Sequence, residues 1–218
     1  MIVESAELWA AMTNCYVIAP EAGAQAVIVD APPDIEGISL LLKRHDLIPV
    51  ALLVTHGHVD HAGGAGSVTK RTGVTAYLHP EDEWLATDPA SQLEGIFGFI
   101  PAGTDEFAPP ERYSDLAHGD RLPLAGMTFE VRHTPGHTPG HCVFVVENEG
   151  LLFSGDQLFA GSVGRTDLPR GDFDALMASM RDEVLTLDDA TRVLPGHGPE
   201  TTIGRERTTN PFIVSHDT

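Results

Sequence analysis

The stretch Thr55-His56-Gly57-His58-Val59-Asp60-His61 constrains this chain more than any other feature of its sequence. It directly follows the uncharged apolar run 50–54, which predicts a short buried strand. Polar residues just past such a strand lie where the edge of a sheet meets solvent. Gly57 allows a sharp turn, so that His56 and His58 need not point to opposite faces. Neutral imidazoles and a carboxylate are ligands that a divalent ion such as zinc accepts.

Three later segments repeat this arrangement of a short strand, a glycine and a polar residue. Residues 127–132 alternate like a strand and lead to Thr134-Pro135-Gly136-His137. The apolar run 151–153 leads to Ser154-Gly155-Asp156, and residues 192–194 lead to Pro195-Gly196-His197. If the four strand ends converge, they supply five histidines and two aspartates, which is enough for two metal ions.

This set of residues resembles the metallo-β-lactamase superfamily of hydrolases, in the family's order and roughly its spacing. The resemblance runs from about residue 14 to about residue 212. It implies a four-layer αββα sandwich with seven metal ligands, namely His56, His58, Asp60, His61, His137, Asp156 and His197.

Two further segments resemble the glyoxalase II branch, which contains the hydroxyacylglutathione hydrolases and their short bacterial relatives. They are Gly164-Arg165-Thr166-Asp167 and the segment 134–141. Full-length glyoxalase II has a helical C-terminal lobe that binds glutathione, and the residues after His197 are too few to form one. We therefore expect a single domain over 1–218 without that lobe, and the resemblance leaves the thiol carrier open.

The family pattern implies how the seven ligands share two divalent ions, with zinc first and iron or manganese as the other options. One ion takes His56, His58 and His137, and the second takes Asp60, His61 and His197. Asp156 bridges the two. A water between two such ions loses its proton near neutral pH and becomes a nucleophile. Asp60 and Asp156 are then the catalytic carboxylates, with Asp60 orienting the hydroxide.

A thioester of the S-lactoylglutathione type suits this apparatus, because its thiolate leaves without a dedicated general acid. Lactones and other esters fit the same chemistry. The alternative is a persulfide dioxygenase, a close relative that holds a single iron with the equivalents of His56, His137 and Asp156. The segment Gly140-His141-Cys142 favours the hydrolases. A zinc lactamase is disfavoured, because such enzymes commonly have cysteine where Asp156 stands and lack the pair Asp60-His61.

The charge balance bounds the partners of the protein. The formal net charge is −19, with 13 Lys and Arg against 32 Asp and Glu, which argues against nucleic acid as a substrate. We predict a small acyl-thiol substrate and no membrane partner, because the apolar runs are only strand-sized. The N-terminus lacks the pattern of a signal peptide, and Cys15 and Cys142 read as buried thiols, so that we expect a cytoplasmic protein.

The remaining patterns predict an α/β chain. Residues 14–18 and 26–30 read as a hairpin, 35–47 and 65–72 as helices, and 74–78 as a strand. Strands at 121–124, 127–132, 141–147 and 151–153 precede a helix within 173–187. The stretch 87–113 is either a surface loop or a lid that gives the substrate an apolar wall. Arg165 either pairs with Asp167 or binds a substrate carboxylate.

Overall fold

The computed structural model describes residues 1–89, 91–93 and 107–215, and the chain divides into two compact units. The first unit is Met1–Leu116 with Pro123–Met127, and the second is Ala117–Leu122 with Thr128–Thr218. Each unit combines one six-stranded sheet with helices, which confirms the mixed α/β class. The apolar residues 96, 97, 99 and 100 of the proposed lid lie outside the described residues.

The sheet of the first unit has the strand order β1-β2-β3-β4-β5-β6. Strands β1, β2 and β3 pair antiparallel, whereas β3 to β6 are parallel. The pairing of β2 with β3 confirms the predicted hairpin. The strands are β1 (Ile2–Leu8), β2 (Thr13–Ala19), β3 (Gln25–Val29), β4 (Ile48–Leu53), β5 (Thr75–Leu78) and β6 (Ser114–Asp115).

Several helices accompany this sheet: α1 (Ile35–Lys43), α2 (Val59–Ala62), α3 (Ala65–Thr72) and α4 (Glu83–Ala86), and residues 89 and 91–93 are also helical. A short 3₁₀ turn, Pro80–Asp82, precedes α4. Asp34 caps α1 by accepting a hydrogen bond from the Gly37 amide at 2.9 Å. The helix predicted over 35–47 ends at Lys43, because Asp46 adopts a positive φ and turns the chain into β4. Side chains of α1 and α3 pack on the strands to form the core.

The sheet of the second unit has the strand order β14-β13-β10-β9-β8-β7. Strands β10 and β13 are parallel, and β9 is antiparallel to both β8 and β10. The strands are β7 (Arg121–Leu124), β8 (Met127–His133), β9 (Cys142–Val146), β10 (Leu151–Gly155), β13 (Arg192–Pro195) and β14 (Thr201–Thr202). A separate two-stranded hairpin joins β11 (Leu158–Phe159) to β12 (Ser162–Val163).

Helices cover one set of apolar side chains of the second sheet. Leu176 and Met180 pack with Val145, Leu152 and Val193 in its core. The predicted helix within 173–187 is confirmed, with a regular part α5 (Phe173–Ser179) followed by a π-helical turn, Met180–Val184. The remaining elements are the 3₁₀ turn Glu147–Glu149 and the helices α6 (Ile203–Thr209) and α7 (Pro211–Val214).

The two cysteines lie in the interior of the protein, and the helices are short. Cys15 and Cys142 are both buried free thiols, as predicted, and burial raises the pKa of Cys15. Among the described residues, none of the helices combines the length and the apolar character that a bilayer crossing needs.

Candidate metal centre

The first unit holds four of the seven predicted ligands in one turn between β4 and α2. His56, His58 and His61 are buried, and Asp60 is half-buried. The turn requires glycine at position 57, because an added Cβ would lie 2.6 Å from the carbonyl oxygen of Asp82. Because position 57 has no Cβ, the chain can fold back directly after the strand. The rings of His56 and His58 then lie on the same side of the turn.

The ligand atoms of this turn lie close to one another. Nε2 of His56 is 3.0 Å from Nδ1 of His58, and Nε2 of His61 is 3.4 Å from Oδ2 of Asp60. The rings of His56 and His61 are 4.1 Å apart between centroids. Imidazole nitrogens and a carboxylate at such separations are the donor set that zinc and iron accept, so this half of the predicted site fits a metal ion.

Asp30 orients the ring of His61 through its Nδ1 atom. Its Oδ2 lies 2.8 Å from Nδ1 of His61, and its Oδ1 accepts hydrogen bonds from the amide and the hydroxyl of Thr55 at 2.7 and 3.0 Å. A histidine that donates its Nδ1 proton to a carboxylate keeps Nε2 unprotonated for a metal. Asp30 follows the apolar strand β3 just as His56 follows β4, and this signal in the sequence could have identified it.

Asp60 and the backbone of the turn are held by other residues of the same unit. The hydroxyl of Thr13 donates to Oδ2 of Asp60 at 2.9 Å. The buried carboxylate of Asp82 accepts from the Gly57 amide at 2.9 Å, and Gln92 accepts from the Val59 amide at 3.0 Å. These bonds connect the ligand turn to β2 and to the segment around α4.

The second unit holds the other three predicted ligands, each directly after a strand or in the loop that joins two strands. His137 lies between β8 and β9, Asp156 follows β10, and His197 follows β13. Oδ2 of Asp156 is 3.5 Å from Nε2 of His137 and 3.7 Å from Nε2 of His197. One carboxylate oxygen therefore faces two imidazole nitrogens, a donor arrangement that also fits metal binding.

His137 is oriented by a backbone carbonyl rather than by a carboxylate. Its Nδ1 lies 2.7 Å from the carbonyl oxygen of Arg165, and so donates to it. Gly164 is packed so tightly that an added Cβ would lie 1.9 Å from the carbonyl oxygen of Asp156. Gly164 thus brings backbone, rather than a side chain, against Asp156 and His137.

The guanidinium of Arg165 pairs with Asp167 and is exposed. The two bonds of this bidentate pair measure 2.7 and 2.8 Å, and hydrogen bonding to Arg165 lowers the pKa of Asp167 to about 2. The ion pair is one of the two roles predicted for Arg165. Contact with a substrate carboxylate stays a prediction.

Two histidines that flank His137 have different environments. Nε2 of His133 donates to the carbonyl of Pro139 at 2.7 Å. His141 is fully buried, and its Nε2 lies 3.1 Å from the backbone nitrogen of Asp156. Neither residue is predicted to be a ligand, and nothing in the sequence predicts the contact of His141 with Asp156 except its place in the segment 134–141.

Comparison with known proteins identifies the family. The sequence profile of the metallo-beta-lactamase superfamily matches residues 8–197. This chain belongs to the metallo-beta-lactamase superfamily. A match of that length spans all seven predicted ligands, from His56 to His197.

Relatives within the superfamily match nearly the whole chain. An uncharacterized protein of Mycobacterium tuberculosis is 42% identical over 207 residues, which are 92% of each chain. The hydroxyacylglutathione hydrolase GloC of Haemophilus influenzae is 36% identical over 215 residues, which are 99% of each chain. The expected likeness to the glyoxalase II branch is thereby confirmed.

Solved structures of the superfamily share the fold. The B3 metallo-beta-lactamase BLEG-1 has a TM-score of 0.87 at 38% identity, over 97% of this chain and 99% of the other. TTHA1623, in a di-iron-bound form, has a TM-score of 0.84 at 39% identity, over 96% and 99%. ETHE1 from Myxococcus xanthus has a TM-score of 0.78 at 26% identity, over 99% and 85%. The expected metallo-β-lactamase fold is confirmed.

Proposed function

We propose that this protein is a hydrolase of acyl-thiol esters, of the S-lactoylglutathione type, that works with two divalent metal ions. The observation that carries the proposal is the full-length similarity to the hydroxyacylglutathione hydrolase GloC, which extends over 99% of both chains. The donor sets of both units support it, since each consists of imidazole nitrogens and a carboxylate.

The proposal treats the chain as the single domain predicted from its sequence, and the family match over residues 8–197 supports this. His56, His58 and His137 would hold one ion, Asp60, His61 and His197 would hold the other, and Asp156 would be shared. Bound divalent ions supply Lewis acidity, which polarises a carbonyl and lowers the pKa of water. Zinc is our first expectation, and iron is supported by the di-iron form of TTHA1623.

The chain's own residues hold Asp60 in place. Thr13 fixes one oxygen of Asp60, which leaves the carboxylate aligned to accept a proton. Next to Asp60 in the sequence, Val59 packs in an apolar cluster with Phe107, Leu93 and Trp9. The Trp9 and Phe107 rings meet edge-to-face at 5.8 Å between centroids. This buried cluster anchors the residue that directly precedes Asp60.

The chemistry of the leaving group favours a thioester. A thiolate derives from a group with a pKa of about 8.5 and departs without protonation by a protein acid. A small substrate also agrees with the net charge of −19, which would repel a nucleic acid. The protein would then act in the cytoplasm, where thiols stay reduced.

Two other functions have an observation in their favour. The first is the mononuclear iron persulfide dioxygenase considered from the sequence, since its ligands His56, His137 and Asp156 are all present in this chain. The likeness to BLEG-1, at 38% identity, supports β-lactam hydrolysis. The GloC relative covers the chain as completely as BLEG-1 does, and its activity is the one that we adopt.

The test is to assay one purified preparation with three substrates beside an elemental analysis of its metal. The substrates are S-lactoylglutathione followed by absorbance, glutathione persulfide followed by oxygen uptake, and a chromogenic cephalosporin. We expect thioester cleavage with close to two ions per chain. Oxygen uptake without thioester cleavage, or cephalosporin cleavage alone, would overturn the proposal.

A further inference from the structure

The amide of Asp156 lies beyond the ladder that pairs β10 with β9. That ladder ends with the pair Phe153 and Phe144, and the pairing of β10 with β13 shifts register between Phe153 and Gly155. A buried amide without a partner is costly, so the chain needs an acceptor for Asp156 from elsewhere. The acceptor is the side chain of His141, the residue just before β9.

The geometry around His141 determines which of its nitrogens has the proton. A backbone amide only donates, so Nε2 of His141, 3.1 Å from the Asp156 nitrogen, must be the acceptor. Nδ1 then has the proton in the neutral ring and donates to the hydroxyl of Thr134 at 2.9 Å. Thr134 is itself fixed, because its amide donates to the His141 carbonyl at 2.8 Å.

His141 also contacts the other ligand of this part of the site. Its ring meets the ring of His137 edge-to-face, with centroids 6.1 Å apart. The side chains of His141 and Thr134 are fully buried, so water does not compete for their hydrogen bonds. A single side chain thus touches both Asp156 and His137.

We infer that His141 is a positioning residue for the metal site: its unprotonated Nε2 holds the backbone of Asp156, and its ring supports His137. The inference rests on the proposed function in so far as Asp156 and His137 bind metal. A neighbour of this kind contributes to metal affinity without being a ligand, and its loss typically costs about 10- to 100-fold in affinity.

Two substitutions separate the two hydrogen bonds of the ring. The amide of Asn reaches the position of Nδ1, so His141→Asn keeps the contact with Thr134 and loses the one with Asp156. The longer Gln reaches the position of Nε2, so His141→Gln restores an acceptor for Asp156. We expect Zn²⁺ affinity, measured by competition with a chromogenic chelator, to fall about 10- to 100-fold in His141→Asn. We expect His141→Gln to recover most of that loss.

A second readout needs no metal, and its first part needs no variant. In the metal-free wild-type protein, the ¹⁵N shifts of His141 should show an unprotonated Nε2 and a protonated Nδ1. Hydrogen exchange of the Asp156 amide should be slow in the wild type and faster in His141→Asn. His45→Asn is the matched control, and its Zn²⁺ affinity should equal that of the wild type, because His45 pairs with Glu4.

The outcomes separate this inference from the proposed function. A wild-type protein that binds neither Zn²⁺ nor Fe²⁺ would overturn both. Wild-type binding that His141→Asn leaves unchanged would overturn the positioning role alone, and so would a wild-type His141 with its proton on Nε2. If both variants fail to fold, the ¹⁵N shifts of the wild type decide.

Discussion

Nδ1 of His61 lies 2.8 Å from Oδ2 of Asp30, and both side chains are almost completely shielded from solvent. The pair joins the end of β3 to helix α2, which follows the parallel neighbour β4. Asp30 adopts a positive φ of 60°, a conformation in which Asp and Asn are tolerated better than most residues. The backbone at this position therefore turns so that the carboxylate reaches both Thr55 and His61.

The first prediction concerns this pair. Asp30→Asn keeps the size and the tolerance for positive φ, but its amide group faces the Nδ1 proton of His61 with a weaker acceptor or with a donor. We expect Zn²⁺ affinity to fall about 10- to 100-fold. Asp34→Asn is the control, because Asn caps a helix as well as Asp does and Asp34 caps α1. Equal metal content and affinity in the two variants would contradict the role of Asp30.

The second prediction concerns the glycine beside the ligands of the second unit. A Cβ at position 164 would lie 1.9 Å from the Asp156 carbonyl and 3.2 Å from Nδ1 of His137. Gly164→Ala should therefore displace backbone, cost at least about 1–3 kcal/mol in the free energy of unfolding, and lower metal content. Gly150→Ala is the contrast, since its Cβ would meet open space and only its positive φ is unfavourable, at about 1–2 kcal/mol.

Denaturant unfolding and elemental analysis of the same samples measure both effects. We expect metal loss in Gly164→Ala alone. If Gly150→Ala lost metal to the same extent, the close packing of Gly164 against Asp156 would not be the reason.

The third prediction concerns Arg165 and Asp167. The pKa of Asp167 is lowered to about 2 from an ordinary 3.8 by its hydrogen bonds to Arg165, so the pair is intact above about pH 4 and is lost as the pH falls through about 2. In Arg165→Ala the pKa of Asp167 should return towards 3.8, as a carboxyl ¹³C titration would measure. Because the guanidinium already binds Asp167, we expect little change in KM for the thioester.

Arg181→Ala is the matched control for this variant, because Arg181 makes the same exposed bidentate pair with Asp182. If Arg165→Ala alone raised KM about tenfold or more, a contact of Arg165 with a substrate carboxylate would be supported instead.

The metal ligands can be predicted from the sequence, whereas most of the residues that orient them cannot. His56, His58, Asp60 and His61 stand in one short turn after an apolar strand, and both the strand and the turn are local features. Thr13 and Asp60 are 47 positions apart, and their hydrogen bond depends on how β2 lies in the sheet. No local sequence pattern predicts this hydrogen bond, because Thr13 and Asp60 come together only in the tertiary structure.

The same distinction between local and tertiary signals explains where the observed secondary structure differs from the predicted one. Strand β1 was not predicted, because it is an edge strand with a mostly half-exposed pattern that gives a weak apolar signal. Helix α3 ends at Gly73 as expected, because a left-handed glycine is a local stop signal. Helix α1 stops four residues before its predicted end at position 47, where the apolar periodicity continues but the chain turns to enter β4.

The last prediction separates the two leading functions by the order of importance among the ligands. If two ions take part, Asp60→Asn, His61→Ala and His197→Ala should each lower kcat/KM for the thioester by about a thousandfold, since several kcal/mol of charge stabilisation would be lost. If a single iron does the work, those three changes should matter much less than His56→Ala, His137→Ala and Asp156→Ala. Metal content should fall in the same variants as kcat/KM. If the protein is a two-ion hydrolase, the His197→Ala protein should keep one ion. His133→Ala is the control, because His133 bonds the carbonyl of Pro139 and is outside the ligand set. Iron-dependent oxygen uptake that survives His197→Ala, without thioester cleavage by the wild type, would replace the hydrolase with the dioxygenase while leaving the shared ligands His56, His137 and Asp156 in place.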